Sequence, residues 1–66
     1  MKIKWFECKW CSWQGWTHNN EGTDDMAWGG CGVDADSSHQ GGPHQWNYID
    51  TWNCDEEPDD DNYIGE

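Results

Sequence analysis

The chain is 66 residues long and sets 14 acidic residues against three lysines and no arginine, for a formal net charge of −11. So short a chain forms one domain at most, with a marginal core. Its charge excludes a nucleic-acid ligand, because affinity for phosphate backbones comes from lysine and arginine neutralising them.

Residues 2–6, Lys-Ile-Lys-Trp-Phe, alternate polar and apolar and predict a short half-buried strand. This N-terminus turns polar at once, and no apolar run is long enough for the central region of a signal peptide or for a membrane span. The expected location is the cytoplasm, the host's if the chain is viral. In a reducing compartment, four cysteines serve as metal ligands more readily than as two disulfides. A metal staple also answers a deficit in the core: there is no leucine, and seven tryptophans stand in for aliphatic residues. Burial by so few groups falls short of the cost of ordering the chain.

Cys8-Lys9-Trp10-Cys11 follows the first strand, with residues 12–17, Ser-Trp-Gln-Gly-Trp-Thr, as its return partner in a hairpin. Cys-x-x-Cys on a tight turn lets two thiolates reach one tetrahedral Zn²⁺. A thioredoxin-like redox motif would need a helix starting at Cys8, and Trp13, Gly15 and Trp16 oppose one. The segment Phe6-Glu7-Cys8-Lys9-Trp10-Cys11-Ser12-Trp13-Gln14-Gly15 resembles the first hairpin of zinc-ribbon proteins, in which an aromatic residue precedes Cys-x-x-Cys and an aromatic and a glycine follow it. The resemblance implies that Cys8 and Cys11 form the first ligand pair. The family completes its site with a second Cys-x-x-Cys, whereas this chain offers Cys31 and Cys54. These are the expected second pair, with His39 or His44 as the alternative to Cys31, and His18 is read as a solvated loop residue.

Thr23-Asp24-Asp25-Met26-Ala27-Trp28-Gly29 has a capping residue, early acids and a terminal glycine, so it reads as a single helical turn or a plain loop. Asp34-Ala35-Asp36-Ser37-Ser38 has the alternating oxygens that open a Ca²⁺ loop, but His39 stands where such a loop needs glycine. Residues 45–52, Gln-Trp-Asn-Tyr-Ile-Asp-Thr-Trp, are rich in aromatic and β-branched types and predict a third strand. After Cys54 a like-charged run begins, so residues 55–66 are expected to be a disordered acidic tail on a zinc-binding module of residues 1–54.

The expected fold is thus a small metal-stabilised domain, mostly β and irregular: a zinc-ribbon-like hairpin plus a third strand, with little helix. Nothing orders a catalytic triad or cradles a phosphate, so no enzymatic activity is expected. Seven tryptophans exceed what so small an interior can hide, and Trp10 at the knuckle tip and Trp28 in the loop are the candidates for an exposed partner anchor. With the acids Asp55, Glu56, Glu57, Asp59, Asp60 and Asp61, they define an expected docking surface for a basic protein, one that normally binds nucleic acid. Such a module would inhibit or regulate that protein, in the manner of the DNA mimics viruses make. The rival readings are a zinc protein whose acidity is salt adaptation alone, and a secreted, disulfide-bonded, tryptophan-rich carbohydrate binder.

Overall fold

The computed structural model describes residues 1–32 and 40–66. Three strands, β1 (Lys2–Cys8), β2 (Gln14–His18) and β3 (Trp46–Asn53), form one antiparallel sheet in the order β2-β1-β3. Helix among the described residues is limited to two 3-10 turns, Ala27–Gly29 and Asp60–Asn62. All three strands fall close to where they are expected: β1 from its alternation, β2 as the return of the hairpin, and β3 from its aromatic and β-branched residues.

The β1–β2 connection is the Cys-x-x-Cys turn. The Cys8 amide donates to the Trp13 carbonyl at 2.8 Å and the Ser12 amide to the Cys8 carbonyl at 3.1 Å, with Ser12 in the left-handed region at φ 60°. On the other side of β1, β3 runs with Lys2 opposite Asn53 and Cys8 opposite Trp46. Between Trp5 and Phe6 the register slips by one, leaving Ile49 as an extra residue on β3. A bulge of this kind twists an edge strand and blunts its tendency to pair further. That matters here because Tyr48, Ile49 and Trp52 are all about half exposed. Aromatic pairs across the strands, Trp5 with Trp52 at 5.0 Å and Phe6 with Tyr48 at 6.1 Å, hold β3 to the centre.

The turn expected over residues 23–29 forms only in its second half and only as 3-10. Trp28 at φ 58° interrupts it, and Met26, at the cap position, supplies no side-chain hydrogen bond. Asp24 instead accepts the Met26 amide, while its carbonyl receives the Ala27 amide and the Trp46 indole N–H.

The expectation of a disordered tail is corrected. Ile64 is 1% exposed, its amide donates to the Trp16 carbonyl at 2.9 Å, and its carbonyl receives the Asp24 amide at 2.8 Å. The Trp16 indole N–H reaches back to the Asp59 carbonyl at 2.9 Å, and the Glu66 amide donates to Gly22. Glycine at position 15 makes room for this docking, since a Cβ there would stand 2.6 Å from Ile64 Cγ2. Like charges do crowd the segment, but one aliphatic side chain in a fitted slot and a set of main-chain hydrogen bonds outweigh their mutual repulsion in water. Ile3, Trp16, Thr17 and Ile64 form the fully buried part of this end of the molecule.

Candidate metal centre

At the other end lie three buried cysteines and a buried histidine. One ligand atom from each of Cys8, Cys11, Cys31 and His44 falls within 4.8 Å of the others. Four segments deliver them. Cys8 ends β1 and Cys11 closes the turn that follows. Cys31 is set by its amide donating to the Gly42 carbonyl at 2.9 Å, with the Gly41 amide donating back to the Cys31 carbonyl. That crossing requires Gly30 at φ 95°, where a Cβ would meet the Gly42 carbonyl oxygen at 2.5 Å. His44 then precedes β3, its amide donating to the Asp25 carbonyl.

Three of the six separations are close to those of a tetrahedron, and none exceeds 4.8 Å. Cys8 Sγ and Cys31 Sγ are 3.7 Å apart, and His44 Nδ1 lies 3.4 Å from Cys11 Sγ and 3.3 Å from Cys31 Sγ. A tetrahedral ion with metal–sulfur bonds of about 2.3 Å and a metal–nitrogen bond of about 2.05 Å sets its sulfurs about 3.8 Å apart and its sulfur and nitrogen about 3.6 Å apart. A disulfide, at about 2.05 Å, is far from these values, and all four cysteines of the chain are free.

The tautomer of His44 is fixed as well. Its Nε2 stands 2.9 Å from the Ala27 carbonyl, which can only accept, so Nε2 carries the proton and Nδ1 turns its lone pair toward the thiols. The three sulfurs differ in readiness. Burial pushes the Cys8 thiol up, but the backbone amides of Cys11 and Trp10, with His44 and the Gln45 amide, together outweigh it and bring the thiol down to about 6. Burial, followed by the neighbouring Cys8 and Cys11 sulfurs, pushes Cys31 up to about 12. Burial also raises Cys11. Backbone N–H donors at the turn thus favour a thiolate in this group, and a bound cation would displace the remaining thiol protons.

An aromatic shell surrounds the group. Trp10, Trp13 and Trp46 pack against the cysteines, and the His44 ring contacts Trp13, Trp28 and Trp46 at centroid distances of 5.6, 5.9 and 4.6 Å. Trp10, expected as an exposed anchor, is half-buried here with Lys9 Nζ 4.7 Å from its ring centroid. Trp28 keeps the exposure expected of it, at 45%.

Cys54 is not in the group, which corrects its assignment as a ligand. Cys8 pairs with the first residue of β3 and Lys2 with the last, so Cys54 lies roughly 20 Å away along the sheet. Its amide donates to Met1. His44 takes the fourth place, so the histidine expected in exchange for Cys31 replaces Cys54 instead. The signal for this is the antiparallel pairing of β1 with β3, which puts the entry of β3 beside Cys8. His39 and the Asp34–Asp36 segment lie outside the described residues. His18, read as solvated, is half-buried and contacts Glu21 and Glu57. The acids Asp55, Glu56, Glu57, Asp59, Asp60 and Asp61 are exposed, as expected of them.

Comparisons with protein-family models, with curated proteins and with solved structures find no match. No helix among the described residues is long and apolar enough to cross a membrane.

Proposed function

We propose that the chain is a non-catalytic zinc module in which one Zn²⁺, held by Cys8, Cys11, Cys31 and His44, serves folding, and whose acidic surface docks on a basic protein. The observation that carries the zinc assignment is the His44 geometry. A nitrogen lone pair aimed at the buried sulfurs of Cys11 and Cys31, with that of Cys8 within 4.8 Å and the opposite ring nitrogen tied to a carbonyl, is the arrangement a structural Cys₃His site requires. Four protein donors fill a tetrahedron, which leaves no position for a substrate or an activated water. The likeness of residues 6–15 to a zinc-ribbon hairpin supports the same reading.

Native mass spectrometry with and without a chelator tests it. One zinc per chain is expected, and its removal should shift tryptophan emission to the red as the module unfolds. Emission and amide dispersion unchanged after complete metal removal would falsify the zinc assignment.

The partner reading rests on charge. Three thiolates and a divalent ion add one negative charge to the −11 of the chain, and such a field steers cationic surfaces and repels phosphate. The fit to duplex DNA is partial. The molecule is 38 Å long, and duplex of that length carries about 22 charges, twice what this chain has. We therefore favour a basic patch on a nucleic-acid-binding protein as the partner over mimicry of a full duplex. Retention of such a protein at low salt but not at moderate salt is the expected result of a pull-down. Retention indifferent to salt would leave salt adaptation as the meaning of the charge. The carbohydrate alternative would need two disulfides, whereas Cys54 lies roughly 20 Å along the sheet from Cys8, out of reach of the other thiols.

A further inference from the structure

Trp13 and Trp28, both in contact with His44, meet edge to face with centroids 5.5 Å apart and planes at 73°. With Gln14 and Asn62 they line an open cleft of about 380 Å³. Trp28 is held there in the left-handed backbone region, which bulky L-residues rarely adopt. Asn62 Nδ2 donates to the Gln14 carbonyl, so the C-terminal 3-10 turn forms the opposite wall.

Three features select the occupant. Two indole rings at a steep angle make a corner, which surrounds a compact head group, whereas a flat sugar ring would stack on one wall alone. Indole faces attract cations through their quadrupole, more strongly than the other aromatic rings do. The turn that supplies Asn62 carries the exposed Asp60 and Asp61, no lysine lines the cleft, and the whole chain is at −11. We propose that the Trp13–Trp28 corner binds the alkylammonium head of a lysine side chain presented by the basic partner. This rests on the partner reading above and adds to it the point of contact. Because both rings lean on a metal ligand, the corner is in place only when the centre is loaded.

The test is an NMR titration of the zinc-loaded protein at constant ionic strength, reading the indole N–H resonances. The probes are choline, its uncharged isostere 3,3-dimethylbutan-1-ol, Nα-acetyl-lysine methylamide with and without ε-trimethylation, and methyl glucoside. The charged probes should move Trp13 and Trp28 but not Trp52, with choline binding about fivefold tighter than the isostere. Trp28→Phe, which keeps an aromatic ring against His44, should weaken choline several-fold while zinc content stays at one per chain. Equal binding of choline and the isostere overturns the proposal, as does movement of the same resonances by the glucoside, or no movement with any charged probe. If the cleft fails while a basic protein is still retained in a salt-dependent manner, the site alone is wrong. If both fail, the partner reading falls with it.

Discussion

The two ends of the molecule are closed by different chemistry. At the entry of β3, three thiols and an imidazole converge from segments with little aliphatic content, and the surrounding tryptophans pack on the sulfurs. At the other end, Ile64 fills the slot over Gly15, and Trp16 is enclosed by Tyr63 at 4.7 Å and by the docked chain. On the proposed zinc reading the first closure is all-or-none, because removing any ligand would leave buried polar atoms without a metal. The second is graded, because it is a sum of packing and hydrogen bonds that can be removed piecemeal. A chain with so thin a core needs both, and the contrast can be tested one end at a time.

The largest effect is expected at the thiol end. Cys8→Ser, Cys11→Ser or Cys31→Ser should abolish tight zinc binding and with it the fold, since zinc binding in such sites is worth on the order of 10 kcal/mol, more than a small domain's whole stability. His44→Ala should do the same, whereas Cys54→Ser should leave zinc stoichiometry and melting temperature within a degree or two. A Cys54→Ser protein that loses its metal would return Cys54 to the centre and overturn the tetrahedron described above.

How much of this was legible in the sequence follows the same division. Cys8 and Cys11 are local: two residues separate them, and no fold is needed to place them together. The strands, too, are read from local features: alternation in residues 2–6, and aromatic and β-branched content in residues 45–52. What could not be read locally is pairing. The hairpin was legible because its turn is short, but nothing within residues 45–52 says that β3 runs antiparallel along β1, and that pairing sends Cys54 to the far end and brings His44 in. The docked tail escaped for a related reason. Its composition is that of a solvated chain, and the one residue that decides the matter, Ile64, is complementary to a glycine 49 positions earlier.

At the packed end the effects should be smaller and additive. Ile64→Ala removes a fully buried aliphatic side chain and should cost about 2–4 kcal/mol in chemical unfolding of the zinc-loaded protein, with one zinc still bound. Deleting residues 55–66 should cost at least as much, since Trp16 would lose its cover and its carbonyl partner at Asp59. Truncation that leaves the midpoint unchanged would show that the segment does not hold the sheet. Loss of zinc on truncation would show that the two ends are not independent.

The smallest effect, and the one with a pH signature, belongs to His18. Its Nδ1 lies 2.5 Å from Glu21 Oε1 and its Nε2 3.0 Å from Glu57 Oε1, so protonated His18 ties the end of β2 to the C-terminal segment. Tyr63 donates to the other oxygen of Glu21. The partnership with Glu57, then with Glu21, raises the His18 pKa. The hydrogen bond from Tyr63, followed by that from the His18 amide, lowers that of Glu21. The signs follow by linkage. A histidine raised in the folded state contributes stability that is complete below its unfolded value near 6.5 and fades as pH rises through the higher folded value. A depressed carboxylate contributes above its unfolded value near 4.5 and fades as pH falls through the lower folded one. The clasp is therefore strongest between the carboxylate and histidine ranges and weakens toward pH 8. The metal centre has its own pH dependence, so the informative quantity is the difference in melting temperature between wild type and His18→Gln, in which the common zinc contribution cancels. That difference should be largest near pH 6 and shrink by pH 8, and an NMR titration of the His18 ring should give a midpoint above 6.5. A difference that is flat from pH 5 to pH 8, with a ring midpoint at or below 6.5, would mean that His18 carries no charge-dependent hold on the tail, leaving Ile64 and the main-chain hydrogen bonds to secure it alone.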